Sequence, residues 1–403
     1  MHIPAWITET EIAVIGGGIA GTATTYFLAQ SGRHVALLER HALAGEASGA
    51  NSGEVGGMGE SRTFHLNNRL QMGSLHIFQR FATELDWDIG FQQPGRSIII
   101  QHEAQLAPMS RLVTHWQEQG YEVELLLGGA ALRQEPHLNP RVVGLVFTPH
   151  QGYADPIRTT LGFALRAREL GAKVYPCTPV HSLTPHPDQG YRLSTSRGEL
   201  HAQQVVLATG AWTPFLARKL GLDIPISPMR GMIWVSEPLP PLLHSSISAA
   251  ESLLARLDPE TLRVHESSEY PTSRNGHELY RHLYGHQAPT GNIHFGGTRE
   301  LAGYDKRVTI RGLRSVMRHA AEIFPFLRHV NIIRAWAGLM PFTPDGQLIL
   351  GPVEGYPNLY LATGLGGGGF GKGPMVGKVI AELILHGKPP LPIDEALLSR
   401  FSA

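Results

Sequence analysis

Three glycines near the start of the chain have the spacing of a phosphate-binding turn. Gly16, Gly18 and Gly21 follow a short apolar segment and open a segment with helical periodicity. In such a turn the first glycine allows the sharp bend, and the second lets backbone N–H groups approach a pyrophosphate. The third allows close packing of helix and strand, and the helix N-terminus adds partial positive charge. The spacing therefore predicts that the chain binds a dinucleotide.

An acidic residue further along supports this prediction. Glu39 lies 18 residues after Gly21, at the end of the next apolar segment. A carboxylate at that position accepts hydrogen bonds from ribose hydroxyls and disfavours a 2′-phosphate. The alternative is an ordinary glycine turn followed by a surface glutamate.

Two further stretches rich in small residues favour a long cofactor. They lie at residues 45–53 and 364–373, far apart in the chain. Small residues allow the backbone to approach a ligand closely, and FAD needs contacts along its ribityl chain and ring as well as at its pyrophosphate. We therefore expect FAD rather than NAD. Two alternatives stay open: an NAD-dependent dehydrogenase, and a linker role for the first stretch.

The elements that must position these residues alternate between strand and helix patterns. Residues 11–16 and 34–39 are apolar strand patterns on either side of a helical pattern at 19–31. This order predicts two parallel strands joined by a right-handed crossover. Residues 222–324 alternate as an antiparallel sheet does, and residues 375–385 predict a helix with one buried face.

Parallel units at both ends of the chain, with antiparallel material between them, predict an α/β fold. We expect a Rossmann-like FAD-binding domain interleaved with an α+β substrate domain on a largely antiparallel sheet, as in FAD folds of the glutathione reductase type. The FAD-binding domain would comprise residues 1–65, 145–221 and 325–403. The substrate-binding domain would comprise residues 66–144 and 222–324.

The composition of the 403 residues limits the possible functions. Lys and Arg total 34, as do Asp and Glu, so no net charge attracts nucleic acid or an anionic membrane. The single cysteine, Cys177, excludes an intramolecular disulfide and a metal cluster held by cysteines. No stretch has the length and apolarity of a transmembrane helix, and the N-terminus lacks a secretion-signal pattern. We expect a soluble cytoplasmic protein without a metal.

With these motifs in this order, nearly the whole sequence resembles the FAD-dependent amine oxidase family of D-amino-acid oxidase, glycine oxidase and monomeric sarcosine oxidase. The motifs that carry the resemblance are residues 14–21, 39–40, 47–53, 205–212, 336–341, 343–346 and 363–377. The resemblance implies a small primary or secondary amine or amino-acid-like substrate. Its C–N bond would be oxidised by hydride transfer to flavin N5, the imine would hydrolyse, and O₂ or another acceptor would reoxidise the flavin.

The resemblance also implies which residues contact the cofactor. The pyrophosphate and adenosine would be held by Gly16, Gly18, Ile19, Ala20, Gly21, Glu39, Arg40 and Val180. Contacts along the pyrophosphate and flavin would come from Ala47, Ser48, Ser52, Gly53 and Glu54. Two further motifs would add cofactor contacts through Ala208, Gly210, Trp212 and Gly338. The pyrimidine edge of the flavin would lie against Leu365, Gly366, Gly367, Gly368, Gly369, Phe370, Gly371 and Lys372. We expect a helix from Met375 to direct its positive end there and so stabilise charge on the reduced ring.

Two departures from the family pattern bear on the substrate and on cofactor attachment. The amino-acid oxidases of the family carry Gly-Leu-Arg-Pro, whose arginine pairs with the substrate carboxylate, whereas this chain has Met340 at that position. Lys372 lies one position from a lysine that contacts the carboxylate in sarcosine oxidases. The alternative for Met340 is that it only packs in the core. The cysteine that binds flavin covalently in sarcosine oxidases has no counterpart near Gly338, so we expect non-covalent FAD.

Further candidate catalytic residues follow from the resemblance. His294 corresponds to a strand lysine that promotes the reaction of reduced flavin with oxygen, and a charged imidazole there would stabilise superoxide. The alternative for His294 is a strand histidine with a satisfied hydrogen bond. Tyr284 and His286 would line the substrate pocket, while Arg62 and His65 are candidates for its entrance or for a solvated loop.

A second function class stays open. The chain could be the flavin-carrying subunit of a hetero-oligomeric opine oxidase-like or cyanide-forming dehydrogenase. Such a subunit would bind FAD but turn over only with its partner, and the missing carboxylate arginine is compatible with it.

Overall fold

A computed structural model describes residues 4–57, 65–83, 87–186, 190–257 and 279–401. Its strands are β1 Glu9–Ile15, β2 Val35–Leu38, β3 Glu54–Val55, β4 Arg96–Ile100, β5 Glu124–Leu127, β6 Gly144–Thr148, β7 Gly152–Tyr153, β8 Lys173–Tyr175, β9 Val180–Pro185, β10 Tyr191–Thr195, β11 Gly198–Leu207, β12 Ser227–Pro238, β13 Ser246–Ala249, β14 Leu279–Gln287, β15 Asn292–Glu300, β16 Ile332–Phe342, β17 Ile349–Val353 and β18 Tyr356–Thr363. The α-helices of the described residues are α1 Ile19–Gln30, α2 His65–Thr83, α3 Glu103–Glu118, α4 Gly129–Gln134, α5 Pro156–Glu169, α6 Thr213–Ala217, α7 Ala250–Leu257, α8 Ile310–Ile323 and α9 Gly369–His386.

The first large sheet carries the dinucleotide turn. Its central strands run in the order β17-β18-β11-β1-β2-β8, and β10 and β9 extend it from β11. The pairs that β1 makes with β2 and β11, and that β11 makes with β18, are parallel. The carboxyl ends of these four strands therefore meet at one edge, which is where ligands bind in open α/β sheets.

Close packing of helices covers one face of this sheet. Helix α1 lies against α9, and a Cβ atom on Gly377 would lie 2.5 Å from the backbone nitrogen of Thr24. A Cβ atom on Gly373 would lie 2.5 Å from Cγ2 of Ile19. The two helices can approach this closely only because these positions are glycine. The packing fixes where α1 begins, and hence the direction of its N-terminus.

The second large sheet confirms the predicted antiparallel region. Its strands run in the order β16-β12-β15-β14-β13-β4-β6-β5, and all pairs are antiparallel except β13 with β4. Apolar side chains of β14 and β15, including Leu283, Ile293 and Phe295, form one core with Val316 and Ala320 of α8. The opposite face of β14 and β15 is directed towards the edge of the first sheet, so the α/β fold with two interleaved sheets is as expected.

One helix begins earlier than its sequence pattern indicates. Helix α9 starts at Gly369 rather than at Met375, although glycine disfavours helix and Pro374 lies inside it. Packing outweighs propensity here, because a Cβ atom on Gly371 would lie 2.5 Å from Oε1 of Gln71 in α2. The positive end of the helix is therefore at the glycine run itself, and not one and a half turns beyond it.

The division into domains stays a prediction, and we propose to move two of its boundaries. Helix α2 was expected in the substrate domain, yet Leu66, Leu70 and Phe78 share one core with α1 and α9. Strand β16 was expected in the FAD-binding domain, yet it pairs with β12 in the second sheet. None of the helices in the described part of the chain is long and apolar enough to cross a membrane.

Candidate functional site

A cavity of about 470 Å³ opens where the carboxyl ends of the parallel strands meet. The first residues after β1, β2 and β11 are Gly16, Glu39 and Ala208, and all three line it. Its opposite wall comes from β16, through Gly338 to Pro341, and from the glycine run after β18. We call this space the large cavity.

The three glycines of the turn have the separate tasks that their spacing predicts. Gly16 has φ +116°, and a Cβ atom there would lie 2.3 Å from the carbonyl oxygen of Ala208. A Cβ atom on Gly21 would lie 1.9 Å from the carbonyl oxygen of Gly16, so this position allows α1 to pack against the turn. Gly18 faces Ser48, and its Cβ atom would lie 2.8 Å from the Ser48 Oγ. That hydroxyl accepts a hydrogen bond of 2.9 Å from the Ile19 N–H, at the first residue of α1.

Glu39 links the second strand to the turn. Its Oε2 accepts a hydrogen bond of 2.7 Å from the Gly17 N–H, and its Oε1 accepts one of 2.8 Å from the His41 N–H. A carboxylate has about four lone-pair positions, so both oxygens keep capacity for a ligand. The half-buried side chain lines the large cavity, where it is placed to accept hydrogen bonds from ribose hydroxyls.

A charged and aromatic group forms one end of the large cavity. The Arg40 guanidinium carbon lies 4.0 Å from the centre of the Trp212 ring, and its Nη2 lies 2.8 Å from a Glu46 oxygen. Glu46 in turn pairs with Lys306 at 3.0 Å. These contacts hold the guanidinium over the indole ring, which makes a wall suited to a nucleotide base.

A second space of about 50 Å³ adjoins the first, and we call it the small cavity. Asn51, Tyr284, Met340, Gly367 and Phe370 line both cavities. The small cavity is otherwise lined, among the described residues, by Ser52, Glu54, Gly57, Gln71, Arg96, His282, Thr298, Arg299, Gly368 and Gly371.

Most of the predicted cofactor residues gather around the two cavities. The large cavity is lined by Gly16, Gly18, Ile19, Ala20, Glu39, Arg40, Ala47, Ser48, Val180, Ala208, Gly210, Trp212, Gly338, Leu365, Gly366, Gly367, Gly369 and Phe370. Ser52, Glu54, Gly368 and Gly371 line only the small one. Gly21 and Gly53 line neither, and Gly53 instead packs against the carbonyl oxygen of Ala154. Their individual cofactor contacts stay predictions.

A buried hydroxyl and the glycine run make this site fit a flavin dinucleotide. The Ser52 Oγ is buried and has no hydrogen-bond partner among the described residues. Gly366, Gly367 and Gly369 present a backbone without side chains to the large cavity at the N-terminus of α9. Such a backbone can donate N–H groups to ring oxygens of a ligand.

The expectation for His294 needs correction. His294 lines neither cavity, and burial lowers its pKa, with Asp155 opposing the shift. Its ring stacks on His286, with centroids 5.6 Å apart. A histidine with a lowered pKa is neutral at ordinary pH, so His294 does not supply the fixed positive charge that was expected near the reacting ring.

Tyr284 and His286, which were expected to line one pocket, lie in different surroundings. Tyr284 lines both cavities, as expected of a pocket residue. His286 is buried outside them, with its ring stacked 3.6 Å from that of Tyr153. Burial, together with the neighbouring His294, lowers the pKa of His286 to about 3. The structure thus places His286 outside both cavities, and its part in the substrate pocket stays a prediction.

The buried His286 should make the protein less stable in mild acid. Its folded pKa of about 3 lies below the unfolded value near 6.5, so only the unfolded chain takes up a proton between those pH values. Its contribution is fully present above pH 6.5 and is lost as the pH falls towards 3. Between pH 7 and pH 5 the loss is about 2 kcal/mol. We expect His286→Phe, which keeps an aromatic ring against Tyr153, to show a smaller fall in melting temperature over this interval.

The comparison uses the difference between variants, because the buried His319 also has a lowered pKa, of about 4. His115→Phe, an exchange at an exposed position of α3, should retain the full pH dependence of the wild type. Identical pH dependence in His286→Phe and the wild type would contradict the assignment.

The structure places Lys372 outside the two cavities and Met340 at both of them. The Lys372 side chain is buried, lines neither cavity, and its Nζ donates a hydrogen bond of 3.1 Å to Oδ1 of Asn67 in α2. Its contact with a substrate carboxylate or the flavin edge stays a prediction. Met340 is not a simple core residue, because it lines both cavities. Arg62 and the side chain of His65 lie outside the described residues.

Sequence reasoning missed Arg299. Ile293 and Phe295 of β15 face the apolar core against α8, so strict alternation would place Arg299 on that same face. The register between β12 and β15 shifts between Arg230 and Ile233, which pair with Glu300 and Gly296, so β15 carries one extra residue there and its alternation changes. Thr298 and Arg299 consequently both line the small cavity. A bulge of this kind leaves no signal in a single sequence.

Comparisons with known proteins agree with this geometry. The family model described as "FAD dependent oxidoreductase" (DAO) matches residues 11–383. Glycine oxidase of Geobacillus kaustophilus is 26% identical over 380 residues, which are 93% of this chain and 92% of that protein. The crystal structure of glycine oxidase from that organism matches with a TM-score of 0.85 and 25% identity, covering 98% of this chain and 99% of the other.

Of two further relatives, one is much longer than this chain and the other is named as a subunit. Mitochondrial dimethylglycine dehydrogenase of Mus musculus is 26% identical over 99% of this chain, which spans only 45% of that protein. The hydrogen cyanide synthase subunit HcnC of Pseudomonas protegens is 24% identical, over 98% of this chain and 97% of the subunit. With the family model covering nearly the whole chain, and the glycine turn, Glu39 and the glycine run around one cavity, the chain belongs to the family of FAD-dependent oxidoreductases.

Proposed function

We propose that this protein uses FAD to oxidise the carbon–nitrogen bond of a small amine or amino-acid-like substrate. The observation that carries the proposal is the small cavity, which shares the wall of Asn51, Tyr284, Met340, Gly367 and Phe370 with the large one. A molecule in the small cavity therefore lies directly beside a ligand that reaches the glycine run. Its volume of about 50 Å³, against about 470 Å³ for the large cavity, favours a small substrate.

The protein's part in this reaction is to hold and orient the substrate. FAD, when bound, supplies an acceptor for the hydride from the carbon next to the nitrogen. Tyr284 and Met340 stand between the two cavities and limit how a substrate can approach. The N-terminus of α9 adds partial positive charge beside the glycine run. Orientation and this electrostatic contribution support the transfer without a separate acid–base group.

The names of the relatives support the substrate class. Glycine oxidase and dimethylglycine dehydrogenase are named for a small amino acid and for an N-methylated amino acid. One name specifies an oxidase and the other a dehydrogenase, so both O₂ and another acceptor are compatible with the proposal. We place the protein in the cytoplasm, for which its single cysteine, exposed and free, gives modest support.

A second candidate function is that of a flavin-carrying subunit. The observation that favours it is the match to HcnC, which is named as a subunit of hydrogen cyanide synthase and matches along nearly its whole length. In that case the purified chain would bind FAD, yet its turnover would require a partner.

An anaerobic screen of small amines separates these candidates. We expect glycine, N-methylated glycines or related amines to bleach the flavin absorbance of the purified protein near 450 nm. Bleaching reports hydride transfer whatever the final electron acceptor is. Hydroxy acids of the same size serve as the control and should leave the spectrum unchanged. A protein that dithionite bleaches but no amine does would contradict the proposal and favour the subunit.

A further inference from the structure

The small cavity carries an excess of positive charge among its described residues. Arg96, Arg299 and Glu54 are the ionised groups that line it, leaving aside histidine. Arg96 forms a salt bridge with Glu54, and both side chains are largely buried. This ion pair lies on the side of the cavity formed by β3 and β4.

Arg299 reaches the cavity from the other side, on β15. A methyl group added to Gly367 would lie 2.8 Å from its Nη2 and 3.8 Å from Sδ of Met340. Both side-chain ends thus meet at one glycine of the wall that the two cavities share. The guanidinium carbon also lies 5.3 Å from the centre of the Phe342 ring, a cation–π contact that restrains it.

We propose that Arg299 binds the carboxylate of the substrate and thereby selects amino acids over simple amines. The proposal rests on the proposed function, because it places the anion beside the wall where the amine would be oxidised. A guanidinium presents a planar pair of donors that matches a carboxylate, and partial burial strengthens the pairing. Met340 is uncharged and cannot pair with a carboxylate, so it adds only apolar contact beside Arg299.

The register shift of β15 against β12 supports this role. It directs Thr298 and Arg299 together into the small cavity, so a hydroxyl and a guanidinium converge on the same space. The His282 ring, 5.2 Å from that of Tyr284, lies on the neighbouring strand. A small amino acid with its carboxylate at Arg299 would fill the cavity as far as Tyr284, Met340 and Phe370.

The test measures binding rather than turnover. Acetate is titrated into the FAD-loaded enzyme at neutral pH, and binding is followed by the change in the visible flavin spectrum. Acetamide, which has the same shape without the charge, is titrated in parallel. We expect Arg299→Met to raise the acetate dissociation constant by roughly 10- to 100-fold, the effect of losing a charge-assisted pair. Arg299→Lys keeps the charge but loses the planar pair of donors. Its acetate dissociation constant should lie between those of the wild type and Arg299→Met.

Acetamide binding should change little in either variant, and Arg318→Met, on the exposed face of α8, should bind acetate as the wild type does. The inference is overturned if wild-type enzyme shows no acetate binding, or if Arg299→Met binds acetate normally. It is also overturned if Arg299→Met loses acetate and acetamide equally, since that indicates a structural role. The reduction of the flavin by amines is measured separately. If acetate binding depends on Arg299 but no amine reduces the flavin, only the proposed reaction is contradicted.

Discussion

Gly18→Val is expected to yield a folded but colourless protein. A Cβ atom at this position would lie 2.8 Å from the Ser48 Oγ, which accepts the Ile19 N–H at the start of α1. Valine must displace that hydroxyl, and it also fills the space through which a pyrophosphate approaches the helix N-terminus. Overpacking together with a lost hydrogen bond should weaken FAD binding by about 3 kcal/mol, or roughly 100-fold.

The measurement is the amount of FAD released into the supernatant when purified protein is precipitated with acid. Gly129→Val is the matched control, because a Cβ atom at this exposed glycine comes no closer than 3.7 Å to the Arg133 Nη1. The control should release as much FAD as the wild type. Circular dichroism shows whether Gly18→Val is folded. A fully yellow Gly18→Val protein would mean that the turn does not hold the cofactor.

Gly377→Val is expected to destabilise the fold rather than to act on the site directly. The added Cβ atom would lie 2.5 Å from the Thr24 backbone nitrogen and 2.6 Å from the Ala23 Cβ. Helices α1 and α9 would have to separate along their whole contact, because backbone atoms cannot move aside as a flexible side chain can. We expect a loss of about 3 kcal/mol, which is about 3–4 °C in melting temperature for a chain of this size.

Thermal unfolding with a fixed excess of FAD measures this loss. His386→Val places the same side chain on an exposed turn of the same helix and should shift the melting temperature by less than about 1 °C. Gly377→Ala should lie between the two, since it adds only the clashing Cβ atom. Equal melting temperatures for Gly377→Val and His386→Val would show that α1 and α9 do not depend on close contact.

The dinucleotide half of the molecule could be predicted from sequence because its determinants are local. The spacing of Gly16, Gly18 and Gly21, followed by Glu39, specifies a strand, a turn and a helix within one segment, and each residue has the expected position. Asp155 likewise accepts hydrogen bonds from the Ile157 and Arg158 N–H groups as the N-cap of α5. The family motifs then allowed us to predict that the distant glycine run lies at the same cavity.

The substrate side depends on packing that spacing does not encode. The register shift of β15 against β12 turned Arg299 towards the small cavity, and contact with α1 and α2 made a helix of glycines that propensity assigns to a loop. His294 sits at the expected strand, yet its surroundings deprive it of charge. Position along a strand can be deduced by analogy, whereas side-chain direction and burial follow from neighbours that are remote in sequence.

The way in which the first sheet is assembled has a consequence for biosynthesis. Its central strands β1, β11 and β18 are neighbours, but they come from the two ends and the middle of the chain, and α9 completes the cavity wall. At ordinary rates of translation, roughly 20 to 70 s separate the emergence of β1 from that of α9. During this interval β1 can pair with β2 and β11, but α1 lacks its neighbour α9 and FAD has no complete site to bind. FAD can therefore stabilise this domain only after the last helix has been made.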